Sequence, residues 1–451
     1  MNHPEGESNT SAARRSWQQA AGGARSRELL ERDASVFMHQ SLSTPCASAV
    51  VRAEGIWLHD SDGRRVMDFH GNSVHHIGYG HPRLVRAIAD QLDDLPFSPR
   101  RYTNEPAVAL AERLASLAPD PLGKCLFATG GSDAIEIAIR IARAATGRFK
   151  TVSFWDSFHG AGFGASSVGG EATFRSGIAG PLLPGAEHVA PFACYRCPYG
   201  HAGPESCGLA CADMLRYVLE REGDVAAVIA EPMRAIPYVA PAGFWKQVRK
   251  ACTEFGALLI FDEIPAGLGK TGRFFAFEHE EVVPDIVVLG KALGGGILPI
   301  SAVIASRELD VCGDYAIGHY THEKNPVTAR AALTTIDIIE EERLVDNAAR
   351  LGGLAMDRLA QLAAASIIIG DIRGRGLLLG VDIVEDCQSR VPATSLAEKI
   401  LYGCLDRGLS FKISMGSVLT LSPPLTIKQD QLEAALDILA EIITKVEQGK
   451  D

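Results

Sequence analysis

Along residues 55–69 the segment GIWLHDSDGRRVMDF alternates apolar and polar positions about Asp62 and Gly63. Alternation with period two, centred on a dipeptide that accepts positive φ, predicts a β-hairpin near the front of the chain. Further along the pattern changes to short continuous apolar runs at 151–154, 226–230, 258–261 and 286–289, each ending at a polar or charged cluster and separated by longer amphipathic segments. Strands with no polar face belong to a parallel sheet covered by helices on both sides, with its ligand beyond the carboxyl ends of the strands. Beyond about residue 330 the pattern predicts long helices at 331–340 and 348–364, a strand-like stretch at 376–384 and a last helix at 429–446. Residues 1–25 carry Ser, Ala, Gly and Gln without an apolar period, which predicts a disordered tail. The expected division is therefore a tail at 1–25, the N-terminal part of a small domain at 26–80, a large domain at 81–330 and the C-terminal part of the small domain at 331–451. The fold class is α/β, a large domain with a mostly parallel sheet beside a smaller α+β domain built from both chain ends.

Composition narrows the function. The 451 residues are 47% apolar and 22% charged, enough for a large core and unlike a disordered chain or a disulfide scaffold. A formal net charge of −11 argues against a broad nucleic-acid-binding surface and favours a small-molecule partner. The longest apolar runs fall well short of the roughly 20 residues that span a bilayer, so a soluble protein with no membrane partner is expected. Arg14 and Arg15 are not followed by an apolar stretch, which points to the cytoplasm. Cys46, Cys125, Cys252, Cys312, Cys387 and Cys404 are scattered in mixed surroundings and read as core filler.

Three elements carry chemistry. Asp262 ends the apolar run LLIF, where a carboxylate alone would cap a helix or pair with an arginine. Lys291, twenty-nine residues later, closes a second apolar run within VVLGKALGGG. A lysine among glycines at a strand end is free of bulky neighbours and, desolvated, is a Schiff-base nucleophile. In ATGGSDAIEIAIRIARAATG, residues 128–147, Gly130 and Gly131 precede a helix with Ile135, Ala138, Ile139 and Ala142 at helical spacing. Backbone amides at such a start, with Ser132 as cap, suit a phosphate.

With these motifs the sequence resembles the class III family of pyridoxal phosphate (PLP) enzymes, of the aspartate-aminotransferase fold, fold type I, from about residue 35 to the C-terminus. The likeness rests on ATGGSDAIE (128–136), FWDSFHG (154–160), IAEP (229–232), FDEIPAGLGKTGRF (261–274), PDIVVLGKALGGG (284–296), GDIRGRGLLLGVDIV (370–384) and SPPLT (422–426). The resemblance implies that Lys291 is the Schiff-base lysine and Asp262 the partner of the pyridine nitrogen, and that the large domain binds PLP. It implies that Phe158 stacks on the ring, that Gly131 and Ser132 hold the phosphate, and that Glu231 belongs to the cofactor site. Thr321, in HYTHEKNP, would reach the phosphate from the other subunit of a homodimer.

Departures from the family narrow the substrate. Most members have Gln where this chain has Pro265, and Glu where it has Asp133. Members that handle α-amino or α-keto acids carry an Arg at Thr420, in GSVLTLSPPLT, which this chain lacks. That favours elimination over transamination, although Lys412 and Lys324 keep a transaminase open. FHGNSVHHIGYGHP (69–82) and the stretch ending Arg100-Arg101-Tyr102 resemble the ethanolamine-phosphate phospho-lyases, with dialkylglycine decarboxylases further off. With FMHQSLSTPC (37–46) they resemble still more the (R)-1-hydroxy-2-aminoethylphosphonate ammonia-lyases. Arg234 stands after IAEPM at a position usually small in the family. It would either grip a phosphonate or make an ion pair, and Arg101, Asn72 and His76 are the further candidates for the anion site. The expected activity is ammonia-lyase, with an ω-amine or aminophosphonate transaminase as the alternative.

One motif stands apart. Cys194, Cys197, Cys207 and Cys211 follow a C-x2-C-x9-C-x3-C spacing with His201 between the pairs. The spacing suits a structural zinc, and reduced thiols or local disulfides would look the same. No catalytic metal is expected.

Overall fold

The structure, a computed structural model, describes residues 9–40 and 43–449. Contacts divide it into two units, one from the described residues up to His81 together with those from Asp346 onward, the other Pro82–Val345.

The larger unit is built on a seven-stranded sheet with strands β1 (Leu122–Ala128), β2 (Lys150–Phe154), β3 (Ala186–Val189), β4 (Val225–Ala230), β5 (Leu258–Asp262), β6 (Ile286–Leu289) and β7 (Ser301–Ser306), in the order β1-β7-β6-β5-β4-β2-β3. β7 runs antiparallel to both of its neighbours, and every other pairing is parallel. β4, β6 and β7 are buried at every position, which is why β4 and β6 are unbroken apolar runs and β7 is one between its two terminal serines. Helix α1 (Gly131–Thr146) covers one face through Ile135, Ile137, Ala138, Ile139, Ile141 and Ala142, which pack with Ile229, Ile260, Val288 and Val303.

The boundary at residue 330 moves. The helix Pro326–Glu341 packs against helices Pro82–Asp94 and Glu105–Leu117 of the larger unit, so 331–345 belong there and not to the small domain. Two ion pairs hidden from the sequence accompany that packing, Arg113 with Glu340 and Arg83 with Glu341 at 2.5 Å.

The smaller unit contains the hairpin Trp57–Asp60 and Arg65–Asp68, whose turn is wider than the two-residue form expected because the Asp60 carboxylate accepts the amides of Asp62 and Arg64. Strand Leu409–Ser410 pairs in parallel with Arg65–Asp68. An antiparallel sheet joins Ile369–Arg375, Leu378–Ile383, Val418–Leu421 and Lys412–Ser414, and the unit also holds helices Leu344–Ala365 (from Asp346 on), Thr394–Asp406 and Gln429–Glu447.

The tail at 1–25 is corrected in part. Residues 1–8 lie outside the described residues, but Ala12–Ala21 is a helix capped by Ser11 and followed by a second helix, Ala24–Val36. Trp17 in the first helix is 6% exposed, stacks on Tyr402 at 5.7 Å and donates from Nε1 to Asp406 Oδ1 at 2.7 Å. A single aromatic anchor holds a helix whose composition reads as polar.

Candidate active site

Most of the candidate side chains of the larger unit sit at or just beyond the carboxyl end of a strand, Arg101 and Thr321 excepted. β1 runs into α1 through Gly130 and Gly131, β2 into Phe158 and His159, β4 into Glu231 and Arg234, β5 ends in Asp262, and β6 runs into Lys291. Because β1, β6, β5, β4 and β2 point the same way, five loops far apart in sequence meet at one edge.

Asp262 is 2% exposed. Its Oδ2 lies 2.8 Å from His159 Nδ1 and its Oδ1 accepts the Ile264 amide at 3.0 Å. The other ring nitrogen of His159 is buried and has no hydrogen-bond partner among the described residues. His159 is the residue that sequence reasoning missed. It lay inside the motif FWDSFHG, but nothing in that string points to an aspartate on another strand. Next to it, Glu263 accepts the amides of Ala276 and Phe277 at 2.6 and 2.7 Å, and burial pushes its carboxyl up to about 8.

The cradle is close-packed. A Cβ on Gly131 would stand 2.8 Å from Ile264 Cδ1, and one on Gly290 2.7 Å from Ser301 Oγ and 3.4 Å from Ile264. Ile264 thus seats the segment after Asp262 against both the start of α1 and the turn that carries Lys291. Lys291 is half-buried and has φ 45, a left-handed conformation uncommon for a residue with a side chain. Gly130, the residue before α1, gives no side-chain cap, so the first-turn amides of a 16-residue helix are left for an anion. Ser132 is not the cap expected of it; its Oγ accepts the Ala161 amide at 3.0 Å and ties the cradle to the loop after β2. Phe158 is 37% exposed, with one neighbour ring, Phe174, at 4.5 Å. Glu231 is 4% exposed and its Oε2 accepts the Ala235 amide at 2.7 Å. Pro265 is buried, and Thr321 is exposed in the turn before helix Pro326–Glu341.

The aminotransferase class-III family profile matches residues 38–443. The chain belongs to the class III aminotransferase family. Among its relatives, the (R)-1-hydroxy-2-aminoethylphosphonate ammonia-lyase of Vibrio splendidus is 42% identical over 98% of this chain and 95% of its own length. The leucine/methionine racemase of Thermococcus litoralis is 37% identical over 94% of this chain and 97% of its own. An amine transaminase from an uncultivated Pseudomonas species, solved in its PLP-bound form, superposes with a TM-score of 0.86 at 29% identity, covering 91% of this chain and 98% of that one. The fold is that of the PLP-dependent aminotransferases, and PLP is the cofactor of this class III enzyme. The residues present fit it, since a buried carboxylate, a glycine-lined helix start without a side-chain cap and a lysine on a strained turn share one edge of the sheet.

The substrate candidates fall on both units. Arg234, 2% exposed, and Arg101, exposed, lie on the larger; Asn72, exposed with φ 47, and His76, 1% exposed, lie on the smaller. Also on the smaller unit, Thr420 is 5% exposed and donates its hydroxyl to Ser414 Oγ at 3.0 Å. Lys412 is its register partner across the sheet.

Cys194, Cys197, Cys207, Cys211 and His201 line one small cavity together with Tyr199. All ten cysteines are free thiols, and burial pushes Cys211 up to about 12. Among the described residues no group of three or more His, Cys, Asp or Glu side chains is arranged to hold a metal ion. No helix among the described residues is long and apolar enough to cross a membrane.

Proposed function

We propose that this class III enzyme is an ammonia-lyase that converts (R)-1-hydroxy-2-aminoethylphosphonate to phosphonoacetaldehyde and ammonia. Position 420 carries the proposal. Its neutral hydroxyl is bonded to Ser414 and offers no counter-charge to a carboxylate, whereas a transaminase must bind a keto acid. The 42% identity to the Vibrio splendidus ammonia-lyase over nearly the whole chain supports the same reading.

When bound, PLP supplies an electron sink for charge that develops at the amine-bearing carbon. In this reading Gly131 and Ser132 hold its phosphate, Phe158 covers its ring, and Glu231 borders it. Asp262, oriented by His159, keeps the ring nitrogen protonated. Thr321 serves the site of a second copy of the chain in a homodimer. Lys291 would take the proton from the amine-bearing carbon. The hydroxyl leaves the neighbouring carbon as water, and water then hydrolyses the enamine to the aldehyde and ammonia. Arg234 and Arg101 of the larger unit are the groups assigned to the phosphonate.

The test is to supply racemic 1-hydroxy-2-aminoethylphosphonate to the holoenzyme without a keto acid and assay both products. Ammonia and aldehyde in equal amounts, stopping near half of the racemate, are expected. Silence until pyruvate is added, with alanine formed, would replace the lyase by a transaminase. That second reading draws support from the transaminase neighbours and from Lys412 opposite Thr420.

A further inference from the structure

Arg234 is charged, buried and without a counter-charge. It is 2% exposed, and its Nε and Nη1 are buried with no hydrogen-bond partner among the described residues. No Asp or Glu oxygen of the described residues lies within 4.0 Å of it, and the guanidinium carbon stands 5.4 Å from the Tyr238 ring. Glu231, three positions earlier, accepts the Ala235 amide instead. A guanidinium cannot shed its proton to escape burial, so the deficit must be met by an anion from outside the chain.

Its place in the fold says where that anion comes from. Met233–Arg234 pairs with Tyr238–Val239 in a short antiparallel ribbon directly after β4. The ribbon is pinned by Trp245 Nε1, which donates to Pro232 O at 2.9 Å. β4 is the register neighbour of β5, with Ala230 opposite Phe261, the residue before Asp262. The unpaired cation therefore lies just beyond the carboxyl edge of the sheet, in the ribbon that follows the strand beside the one that holds Asp262.

We propose that Arg234 is the specificity-determining residue of this site and selects amines that carry a tetrahedral phosphonate or phosphate anion. Unpaired guanidinium N–H groups beside a fixed positive charge suit the oxygens of such an anion, which neither a neutral amine nor a hydroxyl can offer. The assignment rests on the lyase reading for the identity of the substrate, but not for the presence of an anion subsite.

The experiment titrates wild-type holoenzyme, Arg234→Met and Arg234→Lys with 2-aminoethylphosphonate and with propylamine, following the absorbance of the bound cofactor. 2-Aminoethylphosphonate has no hydroxyl to eliminate and reports binding alone. Arg234→Met is expected to weaken it by roughly 10–100-fold, the size of a charge-assisted pair, and to leave propylamine unchanged. Arg234→Lys should fall between, since it keeps the charge and loses the fork. Equal affinity of wild type and Arg234→Met for the phosphonate, or equal losses for both amines, overturns the proposal. So does a loss confined to PLP affinity, which would assign Arg234 to the cofactor phosphate. Should the variants fail to fold, methylphosphonate competing with propylamine on the wild type is the deciding result, and absence of competition rejects the subsite. The two readings separate cleanly: ammonia release by wild type with unchanged binding in Arg234→Met sinks this assignment alone. Selective loss of the phosphonate in that variant, without ammonia release by wild type, sinks the lyase alone.

Discussion

Asp262 and Lys291 could be singled out in the sequence because each ends an apolar run beside a polar cluster. His159 could not. It meets Asp262 across 103 residues, from strands that flank β4 on opposite sides, and that adjacency is a property of strand order and of no local pattern. If Asp262 holds the ring nitrogen protonated as proposed, Asp262→Asn removes that charge and is expected to lower kcat by about 10²–10³-fold. His159→Gln leaves the carboxylate in place but frees its orientation, so a smaller loss in kcat with a displaced pH profile is expected. Steady-state ammonia release across pH checks both, and equal losses would show that the histidine does more than orient. Ser132 illustrates the limit of motif reading: a serine at a helix start suggested a cap, yet its hydroxyl is engaged by the Ala161 amide from the next loop.

Among the elements, strands buried on both faces announce themselves, whereas helices anchored by one residue do not. Ala12–Ala21 was hidden by its Gln and Ala content, and only the partner surface of Tyr402 and Asp406 makes Trp17 an anchor. Trp17→Ala is expected to cost about 3–5 kcal/mol, read as a lowered midpoint in denaturant, if this helix unfolds with the rest of its unit. An unchanged midpoint would mean that it detaches beforehand. β3 carries a second test. His188 stacks on Trp155 at 4.6 Å, and burial beside Arg175 lowers it from 6.5 to about 4. The unfolded chain therefore binds a proton that the folded one refuses, so stability falls as pH drops from 6.5 toward 4. His188→Gln should flatten that part of the curve of melting temperature against pH, and a curve parallel to wild type would remove His188 as the cause.

At the scale of the molecule, the α/β class and the smaller unit drawn from both chain ends were legible, because period two, period 3.6 and unbroken apolar runs each occupy their own stretch of chain. The boundary near 345 was not, since helix Pro326–Glu341 is apolar on the faces it buries wherever it packs, and its charge pairs with Arg83 and Arg113 depend on residues some 230 to 260 positions away. The thiol cluster belongs at this scale as well. Denatured without reductant, the protein is expected to titrate ten thiols per chain; eight or fewer would reveal a disulfide. The pairing of Leu409–Ser410 with Arg65–Asp68 has a consequence in time. From Asp68 to Leu409 is 409 − 68 = 341 residues, which at 5–20 residues per second takes roughly 20–70 s of synthesis. Throughout that interval the front hairpin waits with one edge unclaimed, so a segment made among the first is among the last to finish its sheet.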